Sequence, residues 1–318
     1  MSLLQPAGYT LDTQRVNSDQ GDLSRVLCIA NGKGGVFKTS LAANVAGLSA
    51  AAGYRTLIVD LDPQGDLSDD LGYFDNDADD HGQHLAGALV TGTAIAPALR
   101  AVRPNLDVVT GGVHLADVAG ALVSRISRGA STTDLLARAL TPIASSYDLV
   151  IIDTPPVDTT LQVMALGAAR WLLIPTKADA SSIRGIQRIA ERVADARAGN
   201  HAIDILGVVL TGVPIAASRV RAGAIADITS VLGDTAPLLT TVIRSSDAVA
   251  RECRAEGILA HELAERLEGV EPFWLALRDG HTPQRVPGSA PALADDYVHV
   301  TEQVLQRLNE LETARGAA

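Results

Sequence analysis

The stretch Arg25-Val-Leu-Cys-Ile-Ala-Asn-Gly-Lys33-Gly-Gly-Val-Phe-Lys-Thr39 decides the fold. Residues Arg25 to Ala30 are a short, mostly apolar run with β-branched members, as a buried strand requires. The glycine-rich segment behind it cannot continue a strand. From Thr39 to Ala52 alanine and leucine dominate and a helix is expected, ended by Gly53 in the position that favours a left-handed cap. Arg55-Thr-Leu-Ile-Val-Asp60 is a second buried strand. Strand, loop, helix and strand within about 35 residues form a βαβ unit, which makes a parallel sheet.

The loop itself has a chemistry. Successive backbone N–H groups of a glycine-rich turn converge on phosphate oxygens, and the following helix adds its positive end. Gly32, Gly34 and Gly35 permit the turn, Lys38 is placed to reach β- and γ-phosphates, and the Thr39 hydroxyl to ligate Mg²⁺. The cofactors expected are therefore ATP and Mg²⁺. Gly34, Gly35, Val36, Phe37, Lys38, Thr39 and Ser40 form the expected cradle.

Two carboxylate motifs strengthen this reading. Val59-Asp60-Leu61-Asp62-Pro63-Gln64-Gly65 stands where a parallel strand ends, the edge at which ligands of such sheets bind. Asp60 and Asp62 share a face if the strand continues, and a carboxylate there can orient a water or hold the Mg²⁺ shell. Val150-Ile-Ile-Asp153-Thr-Pro-Pro156 is a Walker-B strand whose terminal Asp153 is placed to hold Mg²⁺ or its water. Thr39, Asp60 and Asp153 are the expected metal ligands.

Further strands are expected at Leu106–Thr110, Tyr147–Asp153, Trp171–Pro175 and Ile203–Leu210. Helices are expected at Leu115–Ile126, Thr132–Leu140, Ser181–Ala198 and Val220–Val231. Seven aspartates crowd Asp66 to Asp80; a solvated loop is the plain expectation and a metal site the sharper one, although the calcium-loop pattern is missing. The fold class is α/β: a P-loop NTPase with a mostly parallel central β-sheet and helices on both faces.

Composition narrows the function. Only Lys33, Lys38 and Lys177 are lysines among 26 basic residues, and the net charge is −11. Such a surface repels nucleic acid and anionic lipid unless a local patch exists. The two cysteines, Cys28 and Cys253, form no paired ligand set, which argues against an iron–sulfur or zinc site and for a reducing compartment. No run of about 18 apolar residues is present, so no membrane span is expected.

The loop Lys33-Gly34-Gly35-x-x-Lys38-Thr39, the segment Asp60-x-Asp62-Pro63-Gln64 and Asp153-Thr154-Pro155-Pro156, in that order, resemble the ParA/MinD superfamily, above all the ParA-type partition ATPases. The resemblance runs from about Arg25 to Leu263. It implies a ParA-like ATPase domain at 24–280; the polar, aperiodic residues 1–23 are expected to be a leader, and the Pro-rich stretch from His281 a linker before a C-terminal helix, at 281–318. The helix, expected over Asp295–Thr313 with a stripe of Val298, Val304, Leu308 and Leu311, either docks on its own domain or meets a partner.

The resemblance further implies that Lys33 is the signature lysine, reaching across an ATP-sandwich homodimer to the partner's phosphates as an arginine finger does. Lys33, Lys38 and Asp62 would then be catalytic, with Asp62 the hydrolysis aspartate. Ile174-Pro175, the helix from Ser181 and Leu210-Thr211 match the region lining the nucleotide and the dimer interface, so Pro175 joins the expected nucleotide contacts. The implied function is DNA partition. The ATP dimer would bind nucleoid DNA without sequence preference, and a ParB-like centromere-binding partner would stimulate slow hydrolysis, in the cytoplasm and away from membranes. A scaffold that positions another cargo and a MinD-like membrane regulator are the alternatives.

Two departures stand out. Most relatives have glycine where Phe37 stands, although a subset of plasmid partition proteins carries an aromatic there, and a positive φ is uncomfortable for Phe. Arg244 matches a DNA-gripping arginine, yet Asp247 replaces a second. Arg219, Arg221, Arg244, Arg251 and Arg254 are the DNA-binding candidates. From Ser181 to Arg254 nine arginines face seven acids, a local balance of +2.

Overall fold

The structure is a computed structural model, and it describes residues 23–127, 129, 131–214, 218–233, 237–267, 278 and 287–316. The leader expected at 1–23, except Leu23, and most of the linker after residue 280 lie outside the described residues.

Among the described residues eight strands form one sheet: β1 Val26–Ile29, β2 Thr56–Asp60, β3 Leu99–Arg103, β4 Leu106–Val109, β5 Leu149–Asp153, β6 Trp171–Thr176, β7 Asp204–Val213 and β8 Ile243–Arg244. Their order is β3-β4-β2-β5-β1-β6-β7-β8, and only the β3–β4 pair is antiparallel. The inner strands are buried along their whole length because helices cover both faces. Alternation assigns each side chain to a layer: Val26 and Cys28 enter one core, and Leu27 and Ile29 enter the other.

The first core is closed by α3 Gln83–Thr91, α4 Val118–Ile126, α5 Leu135–Ala144, α6 Thr159–Ala168, α7 Ala180–Ala196 and α8 Ser218–Leu232. The second is closed by α1 Lys38–Ala51, α2 Leu67–Leu71, α9 Asp247–Glu256, α10 Ala260–Leu267 and α11 Ala290–Gly316. Helix α1 is buried on nearly every side, as its Ala-rich sequence allows.

Helix α11 docks on its own domain. Leu293, Tyr297, Val300, Val304 and Leu308 are buried in the second core, with Val298 and Leu311 packed at its edge. Arg25 of the strand region forks onto Glu312. The aspartate cluster is not one loop, because Leu67–Leu71 is helical and Asp70 is buried. Among the described residues no group of acidic, His or Cys side chains is arranged to hold a metal by itself, so the metal alternative for that cluster has no support.

Candidate nucleotide site

The parallel strands end together, and the functional side chains stand at that edge. In the loop between β1 and α1, Gly35 takes φ 70° and Phe37 takes φ 64°. Phe37 thus holds the left-handed conformation that is uncomfortable for a Phe, at a strain cost of about 1 kcal/mol or more for a non-glycine residue. Its carbonyl accepts from Leu41 N and so starts α1.

The loop is braced from several elements. Asn31 donates to the Pro175 carbonyl (2.8 Å) and accepts from Lys33 N (3.0 Å). Thr211 Oγ1 donates to the Val36 or Thr176 carbonyl, each at 3.2 Å. Helix α7 lies so close that a Cβ on Gly185 would fall 2.1 Å from Asn31 Oδ1, which only glycine allows. Pro175 therefore meets the loop through its carbonyl.

Lys38 is buried, its Nζ 3.3 Å from the Lys33 carbonyl. Burial lowers its pKa, against the pull of Asp153 and Asp62. Beside it, Asp60 and Asp153 sit in direct register on adjacent strands, both fully buried. Asp60 Oδ1 accepts from Asp62 N (2.8 Å), and Asp153 Oδ1 accepts from Thr154 N (2.9 Å). The Oδ2 atoms of both carboxylates are buried without a hydrogen-bond partner among the described residues.

Desolvation lifts the Asp153 carboxyl to about 7, with the Thr39 hydroxyl and Lys38 opposing. Desolvation and then the Asp153 charge push Asp60 well above the carboxylate range. Two orphaned carboxylate oxygens beside a threonine hydroxyl are a hard, oxygen-only donor set, and Mg²⁺ fits it. A bound cation would satisfy both oxygens and reverse the pKa logic. Gly111 keeps this corner open, since a Cβ there would lie 2.8 Å from Asp60 Oδ1. Asp62 is largely buried and its Oδ1 accepts from Gln64 N (3.0 Å), which sets the carboxylate beside the loop.

Lys33 points elsewhere. Its Nζ lies 2.9 Å from both Asp179 oxygens and 3.1 Å from Ser182 Oγ. Asp179 is the N-cap of α7, accepting from Ser181 N and Ser182 N. Burial raises the Asp179 pKa, but the hydrogen bonds of Ser181, Lys33 and Ser182 together hold it far below the usual carboxylate range. Asp179 and Ser182 were not singled out from sequence, although Asp-x-Ser before a helical run is a cap signal.

The arginines divide. Arg244 forks onto Asp296 of α11 (2.6 and 2.8 Å), and the same carboxylate accepts Arg244 N (3.0 Å). Arg254 donates to buried Asp70 (2.9 Å). Arg221 donates to the Thr240 carbonyl (2.7 Å). Arg219 and Arg251 are exposed and form no ion pair among the described residues.

A glycine-rich phosphate loop before a buried helix, faced by two strand-end carboxylates, defines a P-loop nucleotide-binding protein. A profile of the AAA domain family matches residues 24–205. The chromosome partitioning protein ParA of Myxococcus xanthus is 34% identical over 191 residues, which are 59% of this chain and 65% of that protein. The sporulation initiation inhibitor protein Soj of Bacillus subtilis is 33% identical over 172 residues, 54% of this chain and 65% of that protein. The aligned part thus spans just under two-thirds of these relatives' length. An ATP complex of a Cyanothece McdA variant superposes with a TM-score of 0.64 at 23% identity, covering 88% of this chain and 96% of that one, which confirms the fold. The chain belongs to the ParA/MinD family of AAA-domain proteins.

Proposed function

We propose that the protein is a MgATP-driven switch that dimerises on ATP, binds DNA without sequence preference and releases it on hydrolysis. The observation that carries the nucleotide part is the pair of orphaned oxygens, Asp60 Oδ2 and Asp153 Oδ2, on paired strand ends, with Lys38 and Thr39 of the loop beside Asp153.

In this reading the loop N–H groups and Lys38 bind the phosphates. Thr39, Asp153 and Asp60 would hold Mg²⁺, which would supply positive charge to stabilise the phosphates. Asp62 orients the water whose oxygen bonds the γ-phosphorus as the bond to the ADP oxygen breaks. Lys33 leaves Asp179 and crosses to the partner's phosphates. Hydrolysis is slow until a ParB-like partner completes the site. No helix among the described residues is long and apolar enough to cross a membrane, and the apolar face of α11 is already buried in its own domain. The second point favours action at nucleoid DNA over a MinD-like role that would need that face for lipid.

Arg219 and Arg251 supply the free positive charge for phosphate contacts. The commitment of Arg244 and Arg254 to Asp296 and Asp70 favours a second reading, an ATP-dependent scaffold for a non-DNA cargo. Duplex DNA binding with ATP, with ADP and without nucleotide, at two salt concentrations, decides between them. ATP-dependent, salt-sensitive binding weakened by Arg219→Ala with Arg251→Ala supports the partition switch. Equal failure in all nucleotide states, with ATP still bound, leaves the scaffold.

A further inference from the structure

Phe37 is a strained aromatic where glycine would rest without cost, and strain kept at a ligand site points to use. Its surroundings are fitted to it. Gly212, at φ 63°, leaves room that no other residue could: a Cβ there would lie 2.8 Å from Phe37 Cε2 and 3.2 Å from Lys177 Cε. Lys177 Nζ sits 4.8 Å from the ring centroid. All three lysines of the chain thus stand around one loop.

Position gives these residues a ligand. Asp60 and Asp153, at the ends of β2 and β5, mark the metal and terminal-phosphate end of the site proposed above. Because β1 lies between β5 and β6, the other end of the nucleotide leaves the loop over β6 and β7, where Lys177 and Gly212 stand. The ring also lines a small cavity of about 40 Å³ together with Ser40, Asn44, Asp70 and Arg244. Lys177 stands over the ring on this β6–β7 side, where the base end of the nucleotide would arrive.

We propose that the Phe37 ring is the platform on which the nucleotide's base lies, and that Lys177 covers it in the free protein and moves to the α-phosphate on binding. The inference rests on the nucleotide-binding reading above. Stacking on a π face tolerates different bases, so GTP should bind within a few-fold of ATP.

Titration calorimetry of the full chain with MgATP and with magnesium tripolyphosphate, which has no nucleoside, tests it. Phe37→Gly should weaken ATP about tenfold or more while tripolyphosphate binds as well as before, and Phe37→Tyr should keep ATP affinity. ATP binding unchanged in Phe37→Gly, or a parallel loss of both ligands, would overturn the platform. Wild-type protein that binds tripolyphosphate and ATP equally well also overturns it, with the phosphate site intact. Wild-type protein that binds neither ligand refutes the nucleotide reading itself.

Discussion

Arg244 offers the sharpest separation between a structural and a DNA-contacting arginine. Its side chain is 25% exposed and that of Asp296 is 11% exposed, and three hydrogen bonds join them, one from the Arg244 backbone. Breaking a fully buried pair costs about 3–5 kcal/mol and an exposed pair contributes at most about 1 kcal/mol, so this half-buried fork should be worth about 2 kcal/mol. Asp296→Ala also strands the backbone N–H of Arg244, adding up to about 1 kcal/mol. Urea unfolding of Arg244→Ala, Asp296→Ala and the double variant, read as midpoints at constant slope, closes a double-mutant cycle. A coupling of about 1–2 kcal/mol is expected. Additivity within about 0.3 kcal/mol would refute the staple, and the refutation would be complete if Arg244→Ala lost DNA binding at unchanged stability.

Other outcomes follow from the same geometry. The Asp153 carboxyl, lifted to about 7 by burial, holds a proton in the folded, ligand-free protein that the unfolded chain has lost. The contribution of this group, and of Asp60 paired with it, is therefore lost as pH rises from about 4 through about 7, and Asp153→Asn should flatten that part of the fall in urea midpoints; equal slopes would contradict it. Gly72 at φ 71° abuts the Gly257 backbone, where a Cβ would lie 2.6 Å from the carbonyl oxygen. Gly72→Ala should cost about 2 kcal/mol or more in the same assay, and a change below about 0.5 kcal/mol would be inconsistent with this contact.

The strands of the inner sheet were legible because burial on both faces makes each a continuous apolar run, as in Leu149-Val-Ile-Ile-Asp153. The two carboxylate strands were legible for the same reason, and the phosphate loop through its glycines and Lys38-Thr39. Edge strand β3, Leu-Arg-Ala-Val-Arg, is half exposed and carries no such run. Helix α6 was not expected, although Asp158 caps it by accepting from Leu161 N, and a lone Asp before such a short run is a weak signal.

Partnerships across the chain had no local sign. Asp179 meets Lys33 from 146 positions away, and Asp70 meets Arg254 from 184. Arginine counts therefore suggested a patch near Arg244, while the fold hands that side chain to an aspartate on α11. Phe37 stood between these cases, since the loop pattern marked a positive φ there as costly, while its φ of 64° and the lysine and bare glycine around its ring came from the structure.

The central claim is a nucleotide-gated pairing of two chains through Lys33. The most direct measurement is the solution mass of Asp62→Ala, which should hold ATP without turnover, in MgATP, in MgADP and without nucleotide, beside the same variant carrying Lys33→Ala. The account predicts a dimer in MgATP alone, lost when Lys33 is removed. One mass in all three conditions, with ATP bound, would contradict it.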